Sequence, residues 1–173
     1  KNKTKQTSTK IFFEYLKDNT KKNIDWFVED YLGTRGKIDF KITKVKASND
    51  SIKVTIKNKH SNNMPISLFS LKEDSIVSKV WINHVSGKET FTIPKNQATK
   101  LTLNYDQIIP EYNLRDNWKS LKGLFSNNKP IQLRVFKDIE DPNYSQVFLM
   151  PLIEFNNIYD GLSFGGKIYN KTL

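Results

Sequence analysis

The residues whose types could do chemistry are few: two imidazoles, three indoles and some closely spaced carboxylates. His60 and His84 do not share a helix turn with an intervening glutamate, so the His-Glu-x-x-His spacing that aims two ligands at zinc is absent. His60 sits in a polar loop with Asn58 and Asn62, and His84 lies between Trp81 and Gly87; these surroundings favour a solvated turn and a strand end over ligation. Glu29 with Asp30, Glu73 with Asp74, and Asp138 with Glu140 and Asp141 are the pairings that acid–base hydrolysis needs. Each stands beside a helix end or a turn, where capping and pairing with lysines account for it. Trp26, Trp81 and Trp118 could form a sugar platform, but Trp26 and Trp118 lie in or beside helical stripes, which favours core or interdomain contact. Cysteine is absent, which excludes disulfides, thiolate zinc sites and cysteine nucleophiles together. No Ser-His-acid constellation stands out along the chain.

The elements that must position these residues follow from periodicity. Ile11, Phe12, Phe13, Tyr15 and Leu16 make a short helical apolar face that ends at Asp18-Asn19-Thr20. Asn23 is placed to cap a second helix, in which Ile24, Phe27, Val28, Tyr31 and Leu32 recur at helical spacing before Gly33. From Lys37 to Tyr105 the period becomes two. Ile38, Phe40 and Ile42 alternate with polar residues, as do Ile52, Val54 and Ile56, and Leu101 with Leu103 belongs to the same inward set. Strands are expected at 38–42, 52–57, 65–71, 76–82, 89–93 and 99–105. Six short strands separated by turn signals predict an immunoglobulin-like antiparallel β-sandwich over 37–109, preceded by short helices in 1–36. In 110–173, a helix capped by Asn113 with Leu114, Trp118, Leu121 and Phe125 on one stripe is expected, then a β-rich extension with strands at 131–139, 146–155 and 163–169. Gly161, Gly165 and Gly166 lack a following helix, so no phosphate-binding fingerprint is present.

Of 173 residues 37% are hydrophobic and 27% charged, which supports folding rather than disorder. No apolar run is long enough for a membrane-spanning helix, and Lys1 to Lys10 lack the apolar stretch of a secretion signal. The net charge of +10 raises nucleic acid as a partner. The composition argues against it, because only Arg35, Arg115 and Arg134 are arginines and the lysines are dispersed along solvated strand faces. The start at Lys1 rather than Met leads to the expectation that the chain is a segment of something longer.

The stretch Asn23–Lys41, NIDWFVEDYLGTRGKIDFK, resembles the end of the catalytic region in the aminopeptidase-N-like zinc metallopeptidases, the gluzincin family, where an acidic and aromatic helix leads through glycine into a β-sandwich. Asp25, Trp26, Phe27, Asp30, Tyr31 and Gly36 carry the resemblance, and Lys37 departs from it where many members have proline. Ile52–Leu68 is similar to the post-catalytic sandwich of that family, and the remainder resembles the carboxyl extension of a bacterial subgroup. The resemblance implies a parent that is an extracytoplasmic zinc peptidase or an inactive relative, in the periplasm or cell envelope and with an outer-membrane association. The zinc ligands would lie before Lys1, and this chain itself would hold no cofactor, metal or catalytic residue. It would be an accessory packing and spacer region whose partner is the catalytic domain of the same polypeptide. The apolar face of residues 23–32 is too broad for the sandwich alone, which makes Ile24, Trp26, Phe27 and Tyr31 candidate docking residues. The alternative is a free-standing β-sandwich module that binds a peptide, glycan or protein. A third is an enzyme whose site is assembled only in space.

Overall fold

The computed structural model describes residues 8–122, 129–136, 139, 141–159 and 161–170. The chain is mainly β and forms two compact units, Lys1–Leu121 and Lys122–Leu173, so residues 110–121 belong with the first. That unit opens with helix α1 (Thr9–Asn19), whose first turn is capped by Ser8, and continues through a short π-helix, Phe27–Leu32. Asn23 accepts at Oδ1 from the Asp25 amide at 2.7 Å, the local bond expected of a residue that opens a helix. No helix among the described residues is long and apolar enough to cross a membrane.

The sandwich is built from β1 (Phe40–Ala47), β2 (Ser51–Asn58), β3 (Ile66–Lys72), β4 (Ser75–Ile82), β5 (Lys88–Pro94), β6 (Lys100–Leu103) and β7 (Trp118–Ser120). One antiparallel sheet has the order β1-β2-β5 and the other β4-β3-β6-β7, so the chain crosses between sheets after β2, β4 and β5. All six strands expected between residues 38 and 105 are present. Period-two alternation puts Ile42 opposite Ile56 and Val45 opposite Val54, with a bulge at Thr43, whose hydroxyl donates to the Thr55 carbonyl at 3.1 Å. The hairpin turn Ser48–Asp50 closes through the Ser48 amide on the Ser51 carbonyl at 2.8 Å. Ile38, Phe40, Ile42, Val54, Ile56, Leu101 and Leu103, the expected inward set, are all buried in one core. Each such aliphatic side chain stabilises the unit by about 1.5–3 kcal/mol relative to exposure. Pro65 stands just before β3 and Pro94 ends β5, where a missing amide donor is harmless.

The helix expected from Asn113 is not formed in the described residues. Leu114–Asn117 is a turn, and Trp118–Ser120 pairs antiparallel with β6, Trp118 opposite Thr102. The reason is tertiary. The edge of β6 offers unpaired backbone groups, the Leu103 amide donates to the Asn117 carbonyl at 2.8 Å, and the Ile42 amide of the other sheet donates to the Asp116 carbonyl at 3.2 Å. A segment held by both sheets gains more than the Leu114, Trp118, Leu121 spacing offers an isolated helix. Phe125 and Gly123 lie outside the described residues.

The second unit is a three-stranded sheet of β8 (Ile131–Val135), β9 (Ser145–Asn157) and β10 (Gly161–Tyr169) in the order β10-β9-β8. The pair β8–β9 is parallel and β9–β10 antiparallel, with Gly161 at a φ of 65° that favours glycine in the turn. Register fixes which side chains share a face. Val135 lies opposite Leu149, Leu149 opposite Ile168, and Ile153 opposite Phe164, so one face carries Ile131, Leu133 and Val135 with the odd positions of β9 and the even positions of β10. Arg134, Glu154 and Lys167 fall on the other face.

Candidate functional site

The chemically most unusual group of the first unit is Glu111, on the connection between β6 and β7. Asn104 leaves β6 at a φ of 49° and folds this connection over its own side chain. Its Nδ2 donates to the Ile109 carbonyl at 2.6 Å, and its Oδ1 accepts from the Ile109 amide at 3.1 Å. The Tyr112 amide then donates to the Ile38 carbonyl at 2.8 Å, which sets Glu111 against the start of β1. Glu111 Oε2 accepts from the Phe40 amide at 2.9 Å, and Oε1 accepts from Asn117 Nδ2 at 2.7 Å and Asn104 Nδ2 at 3.0 Å. One carboxylate therefore ties β1, the end of β6 and the approach to β7 together.

Burial pushes the Glu111 carboxyl up from 4.5 to about 7, against the three donors that favour its ionised form, and the Asp39 charge adds to the rise. Asp39 is buried and paired: Lys59 Nζ stands 3.0 Å from both of its oxygens and 2.7 Å from Asp116 Oδ2. Burial tends to lower the Lys59 pKa, but the hydrogen bonds it donates to Asp116 and Asp39, with their charges, outweigh it, so the ammonium is held above its ordinary value. Among the described residues, the buried Oδ1 atoms of Asp116 and Asn117 find no hydrogen-bond partner. Beside Glu111 lies an open cleft of about 450 Å³ lined by Asp30, Tyr31, Gly36, Lys37, Ile38, Pro110, Glu111 and Tyr112. Lys37 Nζ is 4.0 Å from the centroid of the Tyr112 ring, a cation–π contact at the mouth.

A carboxyl that titrates near neutrality suits general acid–base work. Here both oxygens already accept from the protein's own backbone and amide donors, so the group braces a loop at the edge of the cleft it lines. Sequence reading passed over Glu111 because nothing in Ile109-Pro110-Glu111-Tyr112 marks it locally; its partners are five or more positions away and converge only through the fold.

The residues singled out from sequence are dispersed. His60 and His84 are exposed, His60 in the turn after β2 with its amide on Asn58 Oδ1 at 3.1 Å. Glu73 occupies the β3–β4 turn at a φ of 55°, and Asp74 pairs with Lys100 at 2.9 Å. Asp30 accepts from the Asn63 amide at 2.9 Å, whereas Glu29 is exposed. Asp141 accepts from the amide and side chain of Asn143, and Asp138 and Glu140 lie outside the described residues. Among the described residues, no three His, Asp or Glu side chains gather as a metal site would require.

Of the candidate docking residues, Ile24, Trp26 and Phe27 are half-buried and Tyr31 is exposed. Trp26 packs against the sandwich core, its ring edge-on to Phe27, and Phe27 stacks on Tyr31 at 5.6 Å between centroids. The aromatic run is thus a ladder that leads from the core to the surface. Trp81 is exposed on β4 with Lys79 Nζ 4.9 Å over its ring, and Trp118 is half-buried on β7. Compared with models of protein families, with curated proteins and with solved structures, the chain matches none.

Proposed function

We propose that this chain is a non-catalytic accessory region whose sandwich acts as a packing and spacer domain and contributes surface rather than chemistry. The observation that carries the reading is the state of Glu111. The one acid shifted towards neutrality among the described residues spends both oxygens on the Phe40, Asn104 and Asn117 donors, as a structural brace does. The test is an assay of the purified chain on aminoacyl substrates, with and without added zinc, alongside metal analysis. No turnover and no stoichiometric zinc are expected. Turnover that is lost in Glu111→Gln while the variant stays folded would overturn the reading.

The metallopeptidase parentage is the specific form of this role that the Asn23–Lys41 resemblance supports, and the exposed outer rungs Tyr31 and Leu32 favour it. Docking there by a catalytic domain should slow hydrogen exchange across residues 23–32 in a longer product of the same reading frame. Equal protection in both proteins, with the shorter one monomeric, would favour the free-standing binding module instead.

A further inference from the structure

We propose that the apolar face of the β8–β9–β10 sheet is an interface that a second copy of this chain covers, face to face across a two-fold axis. Leu133 on β8, Ile153 and Phe155 on β9, and Phe164 and Ile168 on β10 share this face by register, and all five are exposed, between 65% and 76%. A three-stranded sheet needs its hydrophobic face covered to be stable on its own, so an uncovered one marks a missing partner.

Three observations select a second copy as the occupant. First, between Ile131 and Val135, Ser145 and Phe155, and Leu162 and Ile168, the face carries only Ile, Leu, Val, Phe, Pro, Gly and Ser. Two copies can therefore meet without burying a charge or opposing like charges, as an isologous contact requires. Second, the size fits. Strands of 5, 13 and 9 residues at about 3.3 Å per residue and about 4.8 Å apart give roughly 430 Å² of flat face. That lies within the range of about 300–600 Å² for the largest apolar patch of a monomer; side-chain relief on two copies brings the total near the roughly 1,000 Å² that a specific interface should clear. Third, the unit has no basic flank that would favour an anionic lipid surface: residues 122–173 hold six Lys and Arg against five Asp and Glu, and Arg134 and Lys167 lie on the opposite face. Two such faces would pack about 10 Å apart, the ordinary spacing of a β-sandwich. This inference is independent of the accessory role proposed for the sandwich, and either can fail alone.

The test is sedimentation equilibrium of the full chain over a range of concentrations, with hydrogen exchange across residues 149–168 at both ends of that range. Expected are a monomer–dimer equilibrium, protection that rises with concentration, and association about a hundredfold or more weaker in Phe164→Asp and Ile153→Asp, with the sandwich melting as before. Lys167→Glu, on the other face, should leave association unchanged. If those aspartate variants fail to fold, the concentration dependence of exchange in the unmodified chain still decides. A dimer that persists in both aspartate variants would place the interface elsewhere and overturn the proposal. So would a chain that stays monomeric throughout, whether or not it binds vesicles of phosphatidylcholine and phosphatidylglycerol; binding would assign the face to lipid.

Discussion

The two units answer the same sequence signal in opposite ways. In the sandwich, alternation along β1, β2 and β6 sends Phe40, Ile42, Val54, Ile56 and Leu101 to full burial, because each sheet supplies the cover the other needs. In the second unit, alternation along β8 and β10 sorts side chains onto faces just as cleanly, yet Leu133, Phe164 and Ile168 stay exposed. Period two decides which residues share a face; the covering layer decides whether that face becomes a core.

The largest test of this contrast pairs Val54→Asp with Ile153→Asp. At Val54 an unpaired charge would enter a core with no polar partner, and a loss of about 4 kcal/mol or more should unfold the first unit. At Ile153 the same charge enters a solvated face, and at concentrations below association the melting of the sandwich should shift by less than about 1 kcal/mol. Lys53→Asp, one position from Val54 but on the exposed face, should cost about 0.5 kcal/mol or less. Urea melts followed by tryptophan fluorescence separate the three. Comparable losses at positions 53 and 54 would mean that the register is wrong.

A second test concerns the titratable brace inside the sandwich, whereas the buried brace of the second unit, Gln146 between the Asp141 amide and Gln132, carries no charge. The Glu111 pKa is raised in the folded state, so the folded state holds this proton more tightly than the unfolded chain does. Its contribution is therefore fully present below about 4.5 and is lost as pH rises through about 7. The shift corresponds to roughly 3–4 kcal/mol at most, since one pKa unit is worth about 1.4 kcal/mol. Glu111→Gln imitates the protonated side chain and cannot ionise. Denaturant melts at pH 4 and pH 8 should show a smaller pH-dependent loss for the variant than for the unmodified chain, by up to that amount. Identical pH profiles would mean that Glu111 does not titrate in this range.

The fold was legible where neighbours in sequence are also neighbours in structure. Ile38 to Ile42 and Ile52 to Ile56 announce paired strands because the hairpin at Ser48–Asp50 keeps their partners close. Residues 113–121 misled for the complementary reason: the helical spacing of Leu114, Trp118 and Leu121 is a local fact, while the free edge of β6 and the Ile42 amide that claim this segment come from far away in the chain. The brace was illegible on the same principle. Asn104, Glu111 and Asn117 are ordinary polar residues until β1 delivers the Phe40 amide to them. His60, His84, Glu73 and Asp74 were readable as turn and surface residues because turn chemistry is local.

The most local expected effect belongs to α1, which extends the comparison to a helix that contributes nothing to the core. Ser8 Oγ accepts from the Ile11 amide at 3.3 Å, the first turn has no acidic residue, and none of the helix is buried. Eleven residues without tertiary burial are a marginal helix in water, so the cap supplies a large share of what holds it. Ser8→Ala should cost about 1 kcal/mol, confined to the helix itself. Exchange of the amides from Phe12 to Leu16 should quicken severalfold while the melting of the sandwich stays in place. A matching shift of the sandwich melt would instead couple α1 to the core, and the exposure of Ile11, Phe12 and Tyr15 would no longer mark an element whose stability is its own.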